Sequence, residues 1–222
     1  AREAAAMVDL AFAVEGAEAE RYALTPTIVF HLGISCAAQE VTVENVQLNC
    51  QIRIEAARRS YTAPERERLA EIFGESHRWK DTLQSLLWAH ASAQVPAIGQ
   101  SRTVNLPVPC TFDFHAAVTK YFYGLEDGKV PLLFLFSGTV FYRDRNGSLQ
   151  MEMIPWRSEA TYQFPLRLWR DMMDRYYPNT AWLCIGREVF DEICRYKRQC
   201  GFTSWDETLN ALLALRQEER VP

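Results

Sequence analysis

VQLNCQIRI, residues Val46–Ile54, decides the fold class. Val46, Leu48, Cys50, Ile52 and Ile54 fall on one side of an extended chain; Gln47, Asn49, Gln51 and Arg53 fall on the other. A period of two with one wet face marks an antiparallel or sandwich strand. The same period recurs upstream. Leu10, Phe12 and Val14 alternate with polar or small residues until Gly16 interrupts them. Ile28, Phe30, Leu32 and Ile34 share one face, with Thr27, Val29, His31 and Gly33 on the other.

Downstream, Thr103–Val108 reads as an edge strand hemmed by Pro107 and Pro109. Val130–Tyr142 is the most apolar strand region, and Ser137-Gly138 marks a bend or bulge in it. Asn146-Gly147 signals a hairpin, so Leu149–Pro155 returns as the partner strand. Glu159–Phe164 is a further strand or an extended link. Between these runs lies a helical insert around 63–90. Thr62 and Glu65 form a capping box, Pro64 fits a first turn, and Gly74 stops the helix. Trp79–His90 has leucines at helical spacing or turns into a strand near Leu87–Val95. Ala116–Tyr123 is helical or continues the sheet.

The tail changes period. Leu166, Trp169, Met172, Met173 and Tyr176 lie on one helical face, which Pro178 ends. Arg187–Cys200 is a second helix closed by Gly201. Ser204 and Glu207 cap a third. The expected fold is α+β: an antiparallel, β-rich, sandwich-like body over 7–164 with an inserted helix, then a C-terminal three-helix segment over 165–218 packed on the body as one compact domain. Ala1–Ala6 read as an extension ahead of Met7.

Composition narrows the function. The chain has 222 residues and a formal net charge of −4, ordinary for a globular protein and wrong for a basic domain wrapped on nucleic acid. No apolar run reaches membrane-spanning length. The six cysteines form no CxxC pair and require no disulfide framework, so reduced thiols and a cytoplasmic location are expected. The glycines form neither GxxxxGK nor GxGxxG. There is no GxSxG elbow; Ser137-Gly138 runs on into another strand where an elbow demands a helix. No cofactor and no catalytic residue are expected. Cys110, Asp113 and His115 are weak metal or ligand candidates, because a zinc site needs more ligands than they supply.

Aromatic residues carry the strongest signal: 12 Phe, 9 Tyr and 6 Trp, several beside arginine. Aromatic residues with Arg are enriched at protein interfaces, and they also pack helices onto sheets. Trp156, Arg157, Tyr176, Tyr177 and Trp182 are the protein-binding candidates. Acidic residues interleave the basic ones of the tail, which argues against a groove for single-stranded nucleic acid.

RIEAARRSYTAPERERLAEIFGE (Arg53–Glu75), RWKDTLQSLLWAH (Arg78–His90), VNLPVPCTFDF (Val104–Phe114) and KYFYGLEDGKVPLLFLFSGTVFYRD (Lys120–Asp144) together resemble a family of actinobacterial proteins known as a domain of unknown function. The resemblance runs from Met7 over nearly the whole chain. Genes of that family often lie beside those of nickel-iron uptake hydrogenases. The resemblance therefore implies an accessory role in hydrogenase assembly or complex formation, with a hydrogenase subunit or maturation factor as partner. It supplies no catalytic residues. Two other readings stand beside it: a small-ligand or metal-dependent enzyme with a pocket near Cys110, Asp113 and His115, and a purely structural homo-oligomeric subunit such as a homodimer.

Overall fold

The computed structural model describes residues 8–37, 41–111, 116–180, 183 and 185–218. The chain divides into two compact units, 1–180 and 181–222.

The first unit is built on two antiparallel sheets. β1 (Leu10–Ala19), β2 (Thr27–Cys36) and β5 (Ser101–Pro109) form one, in the order β1-β2-β5. β3 (Thr42–Ile54), β4 (Leu86–Ile98), β6 (Lys129–Arg143), β7 (Leu149–Met153) and β8 (Glu159–Pro165) form the other, in the order β4-β3-β6-β7, with β8 also on β6. The alternation in 46–54 places β3 at the centre of the larger sheet. Val46, Leu48, Cys50, Ile52 and Ile54 are buried against Ile28, Phe30, Leu32 and Ile34 of β2 and Phe134 and Phe136 of β6, in one hydrophobic core.

Three bulges break the period of two, one of them at Glu44 of β3 opposite β6. Glu15 is an extra residue in β1, which lets the strand continue past Gly16 to Ala19. Trp88 is an extra residue in β4 opposite the Ile52–Arg53 step, so Trp88 and its neighbour Ala89 are both buried. That inward turn gives the core its centre. The Trp88 ring meets Phe30 edge-on at 5.8 Å, Phe164 at 5.4 Å and Phe122 at 5.2 Å. Phe122 belongs to α3 (Ala116–Gly124) and reaches Trp169 of α4 (Leu166–Tyr176) at 5.0 Å. One run of rings thus joins both sheets to two helices. Such pairs contribute about 0.5–1.5 kcal/mol each beyond their area burial.

A polar hub holds the helices in place. α1 (Ala63–Phe73) starts at Thr62 with the expected capping box. α2 (Trp79–Thr82) is a single turn before β4. Glu65, itself buried, accepts from Thr62 N at 2.9 Å, from Glu126 N at 2.8 Å and from the Arg59 guanidinium at 2.9 Å. Arg59 also donates to the Asp127 carbonyl at 2.6 Å. Asp127 is paired in turn with Arg167 of α4 at 2.9 Å. The backbone amide of Gly128 and the Arg167 guanidinium hold the Asp127 carboxyl below its ordinary range. The Glu126-Asp127-Gly128 turn is therefore where α1, α3, β6 and α4 meet.

The second unit is a helical hairpin of α5 (Arg187–Cys200) and α6 (Trp205–Glu218). Gly201 closes α5 in the left-handed conformation, at φ 72°. Ser204 and Glu207 cap α6 reciprocally, at 3.1 and 3.3 Å.

One glycine is irreplaceable. Gly138 in β6 has φ 140°, and a Cβ there would lie 1.9 Å from the Gln47 carbonyl oxygen of β3. Gly147, in the turn, has φ 77° and open space around it. Gly138→Ala is expected to destabilise the protein by at least about 2 kcal/mol, and Gly147→Ala by only about 1 kcal/mol. Urea unfolding of the two variants against the parent checks this.

Candidate functional site

β6 changes partners along one edge. Its first half, Lys129–Leu135, pairs with β8, and its second half, Thr139–Arg143, pairs with β7. The other edge pairs with β3 along most of its length. β7 and β8 therefore lie end to end on the outer edge, with Gly138 at the junction. The Ile154 amide donates to the Gly138 carbonyl and the Phe136 amide to the Ser158 carbonyl, both at 2.9 Å. Between these anchors the chain makes a turn, closed by Ser158 N to Pro155 O at 3.0 Å. Ile154 is buried, and Trp156 and Arg157 stand out at the tip.

The two halves of this edge differ in chemistry. The exposed residues of β8 are Glu159, Thr161 and Gln163; those of β7 are Leu149, Gln150, Met151 and Met153. Leu149, Met151 and Met153 are 60%, 74% and 67% exposed, and Trp156 is 92% exposed. Arg143, Phe141 and Thr139 of β6 stand opposite these three in register. The sheet register therefore directs the apolar residues of β7 to the outside. Gln150 and Glu152 point to the other face, where a Glu152 carboxylate oxygen accepts from the Val8 amide at 3.2 Å. β7 ends the sheet order, so its far backbone edge is unpaired among the described residues.

Inward from this edge the outer face of the sheet is neutral and polar. Gln94, Gln47 and Thr139 form one cross-strand row, and Ser92, Asn49 and Ser137 the next. A shallow concavity of about 280 Å³ lies over Gln47, Asn49, Ser92 and Gln94. A second, of about 160 Å³, lies over Phe12, Glu15, Arg102 and Thr103 on the other sheet. Neither contains a candidate named from the sequence.

Those candidates separate. Trp156 and Arg157 project together from the β7–β8 turn. Tyr176 and Tyr177 are half-buried at the end of α4 and pack against the core; the Tyr176 hydroxyl donates to the Ala23 carbonyl at 2.6 Å. This is the packing use of aromatic residues, and no described contact joins these two to Trp156. Trp182 lies outside the described residues. So do Asp113 and His115. Cys110 is buried, and burial pushes its thiol up to about 12. A thiolate nucleophile or ligand needs the opposite environment. Among the described residues, no group of three or more His, Cys, Asp or Glu could hold a metal ion. The β7 stripe was missed in the sequence, where Leu149–Pro155 reads only as the returning partner strand of the hairpin, with no face assigned. The signal that finds it is the register that the Asn146-Gly147 turn imposes. That register matches 149, 151 and 153 with the outward positions of β6.

Cys50 and Cys110 are both buried with thiols pushed up to about 12, whereas Cys200 is exposed. At pH 8, maleimide is expected to label Cys200 in the native protein and to reach Cys50 and Cys110 only after unfolding. Peptide mass mapping of the adducts reads this.

Among solved structures the chain is similar to an ApaA protein from Bordetella pertussis, at 11% identity over 71% of this chain and 95% of that one, with a TM-score of 0.29. It is also similar to a β-glucosidase from Paenibacillus barengoltzii, at 13% identity, 83% and 22% coverage and a TM-score of 0.28. β-Glucosidase 3B from Thermotoga neapolitana gives 12% identity, 70% and 17% coverage and a TM-score of 0.23. The chain thus spans about a fifth of either glucosidase, and likenesses of this extent carry no argument about function. No curated protein matches the sequence. The model of the family of unknown function DUF6084 matches residues 7–221, and the chain belongs to that family.

Proposed function

We propose that the protein is a non-enzymatic accessory protein that docks an extended segment of a protein partner along β7, with Trp156 as the anchor. One observation carries this reading: a strand edge, unpaired among the described residues, whose outward side chains are Leu149, Met151 and Met153, beside a nearly fully exposed Trp156. Natural sheets blunt a free edge with lysine, proline, bulges or a covering element. The β8 half of this edge shows polar residues to solvent, and the β7 half shows apolar ones. Methionine suits such a surface, because its unbranched, polarisable side chain adapts to varied partners. A partner strand added at β7 satisfies the free backbone groups and covers the stripe. Trp156 and Arg157 are the residue types that dominate interface energetics.

The partner is a nickel-iron hydrogenase subunit or maturation factor, on the family resemblance. Tagged protein recovered from its native organism under hydrogenase-expressing conditions is expected to bring down one such polypeptide in stoichiometric amount. Trp156→Ala and Met151→Lys are each expected to weaken that complex at least about tenfold while changing stability by less than about 0.5 kcal/mol, since both side chains are exposed. Tyr22→Ala, on an exposed loop elsewhere, is expected to leave it unchanged. Recovery without any hydrogenase polypeptide overturns the partner, and equal recovery by all three variants overturns the docking edge.

A further inference from the structure

We propose that Met151 and Met153 are a reversible oxidation site, at which a peroxide turns the apolar stripe of β7 polar and releases the docked segment. The release rests on the docking reading above; the chemistry of the site does not.

The distribution of methionine in the fold carries this inference. The chain has five methionines, and Met7 lies outside the described residues. Met172 and Met173 of α4 are 0% and 1% exposed. Met151 and Met153 are largely exposed and stand on one face of one strand. Among the described residues, solvent therefore reaches methionine only on the docking stripe. A dissolved oxidant needs that access, and the packed core shields the α4 pair.

The two sulfurs are not equivalent. The Thr139 hydroxyl donates to Met153 Sδ at 3.5 Å. Thr139 is the β6 residue opposite Met153 in register, so the sheet itself sets this contact. Among the described residues no donor reaches the Met151 sulfur. Oxidation begins with attack by a sulfur lone pair. A hydrogen bond occupies one such pair and makes the sulfur less nucleophilic. Met151 therefore reacts first and Met153 second.

In the step itself, the thioether sulfur attacks one oxygen of hydrogen peroxide. An S–O bond forms and the O–O bond breaks. The departing hydroxide takes the proton of the transferred oxygen and leaves as water. Sulfur loses an electron pair and the peroxide gains it. A thiol-dependent methionine sulfoxide reductase reverses the change, giving the thioether, a disulfide and water. The sulfoxide is polar and carries a strong acceptor oxygen. Under an added strand that oxygen loses its water without gaining a partner, which disfavours docking. Both side chains point outward, so the core is untouched and the fold persists.

The site is tested by treating the full chain with hydrogen peroxide and following each methionine by peptide mass mapping. Met151 is expected to oxidise at least about twofold faster than Met153, the difference a weak hydrogen bond to sulfur makes. Met172 and Met173 are expected to react only on unfolding. Thr139→Val, which keeps the β-branched shape, is expected to bring Met153 up to the rate of Met151. Equal rates in the parent, or a Met172–Met173 pair that oxidises alongside, overturn the site. The release is read with the tagged full chain as bait in extract of the native organism, scoring the polypeptide that Trp156→Ala fails to retain. The oxidised bait is expected to retain at least about tenfold less of it. Methionine sulfoxide reductases are expected to restore retention, which separates these residues from Cys200, an exposed thiol that those enzymes do not repair. Met151→Leu with Met153→Leu is expected to hold the polypeptide before and after peroxide. Undiminished retention by the oxidised parent, or equal loss from the leucine variant, overturns the release and leaves the docking edge standing. A reduced bait that retains no such polypeptide overturns the docking reading and the release with it, and the oxidation rates still decide the site.

Discussion

The approach of Gly138 to the Gln47 carbonyl shapes the rest of the larger sheet. A side chain at position 138 would collide with the backbone of β3, so β6 passes this point only as glycine. β6 also exchanges one edge partner for another there. The exchange breaks the outer edge into β7 and β8 and forces the chain between them into a turn. Trp156 is exposed because that turn is pinned at both ends by backbone hydrogen bonds. The apolar face of β7 points outward because its register with the second half of β6 is fixed on the far side of the same glycine. A local steric constraint in one strand thus produces both parts of the proposed docking edge.

Behind that edge the molecule has the rigidity a binding surface needs. Trp88 is turned inward by a bulge and holds Phe30, Phe164 and Phe122 around it. The buried Glu65–Arg59 pair fixes the turn that joins α3 to β6. Replacing either partner strands a buried charge, which is far more damaging than losing a surface ion pair. An edge preorganised in this way spends little conformational entropy when a partner strand adds to it.

Periodicity made much of this legible. The strands around Phe30 and Leu48, both capping boxes and the Asn146-Gly147 turn all follow from local rules, and the structure agrees with each; at Ser137-Gly138, where a bend or bulge was expected, β6 runs on as one strand in unbroken register with β3, with Gly138 at positive φ. Local rules fail where a bulge or a distant partner decides. Glu15 and Trp88 break the period of two, so β1 runs on past Gly16 and the start of β4 could not be placed. Glu65 looked like a helix cap, but its place beneath the Glu126–Gly128 turn depends on residues more than fifty positions away. The docking edge was half legible. Trp156 and Arg157 stood out by residue type, whereas Leu149, Met151 and Met153 needed the register of β6 to show which way they face. Tyr176 and Tyr177 carried the same compositional signal as Trp156 and are half-buried against the core, because composition does not distinguish a partly packed ring from an exposed one.

The central claim is that the β7–Trp156 edge touches a partner in the cell. A photo-reactive benzoylphenylalanine in place of Trp156, irradiated in the native organism, tests it most directly, with the same probe in place of the exposed Tyr22 as the reference. The account predicts one defined cross-linked polypeptide from position 156 and none of that mass from position 22. No adduct at 156, or the same adducts from both positions, would contradict it.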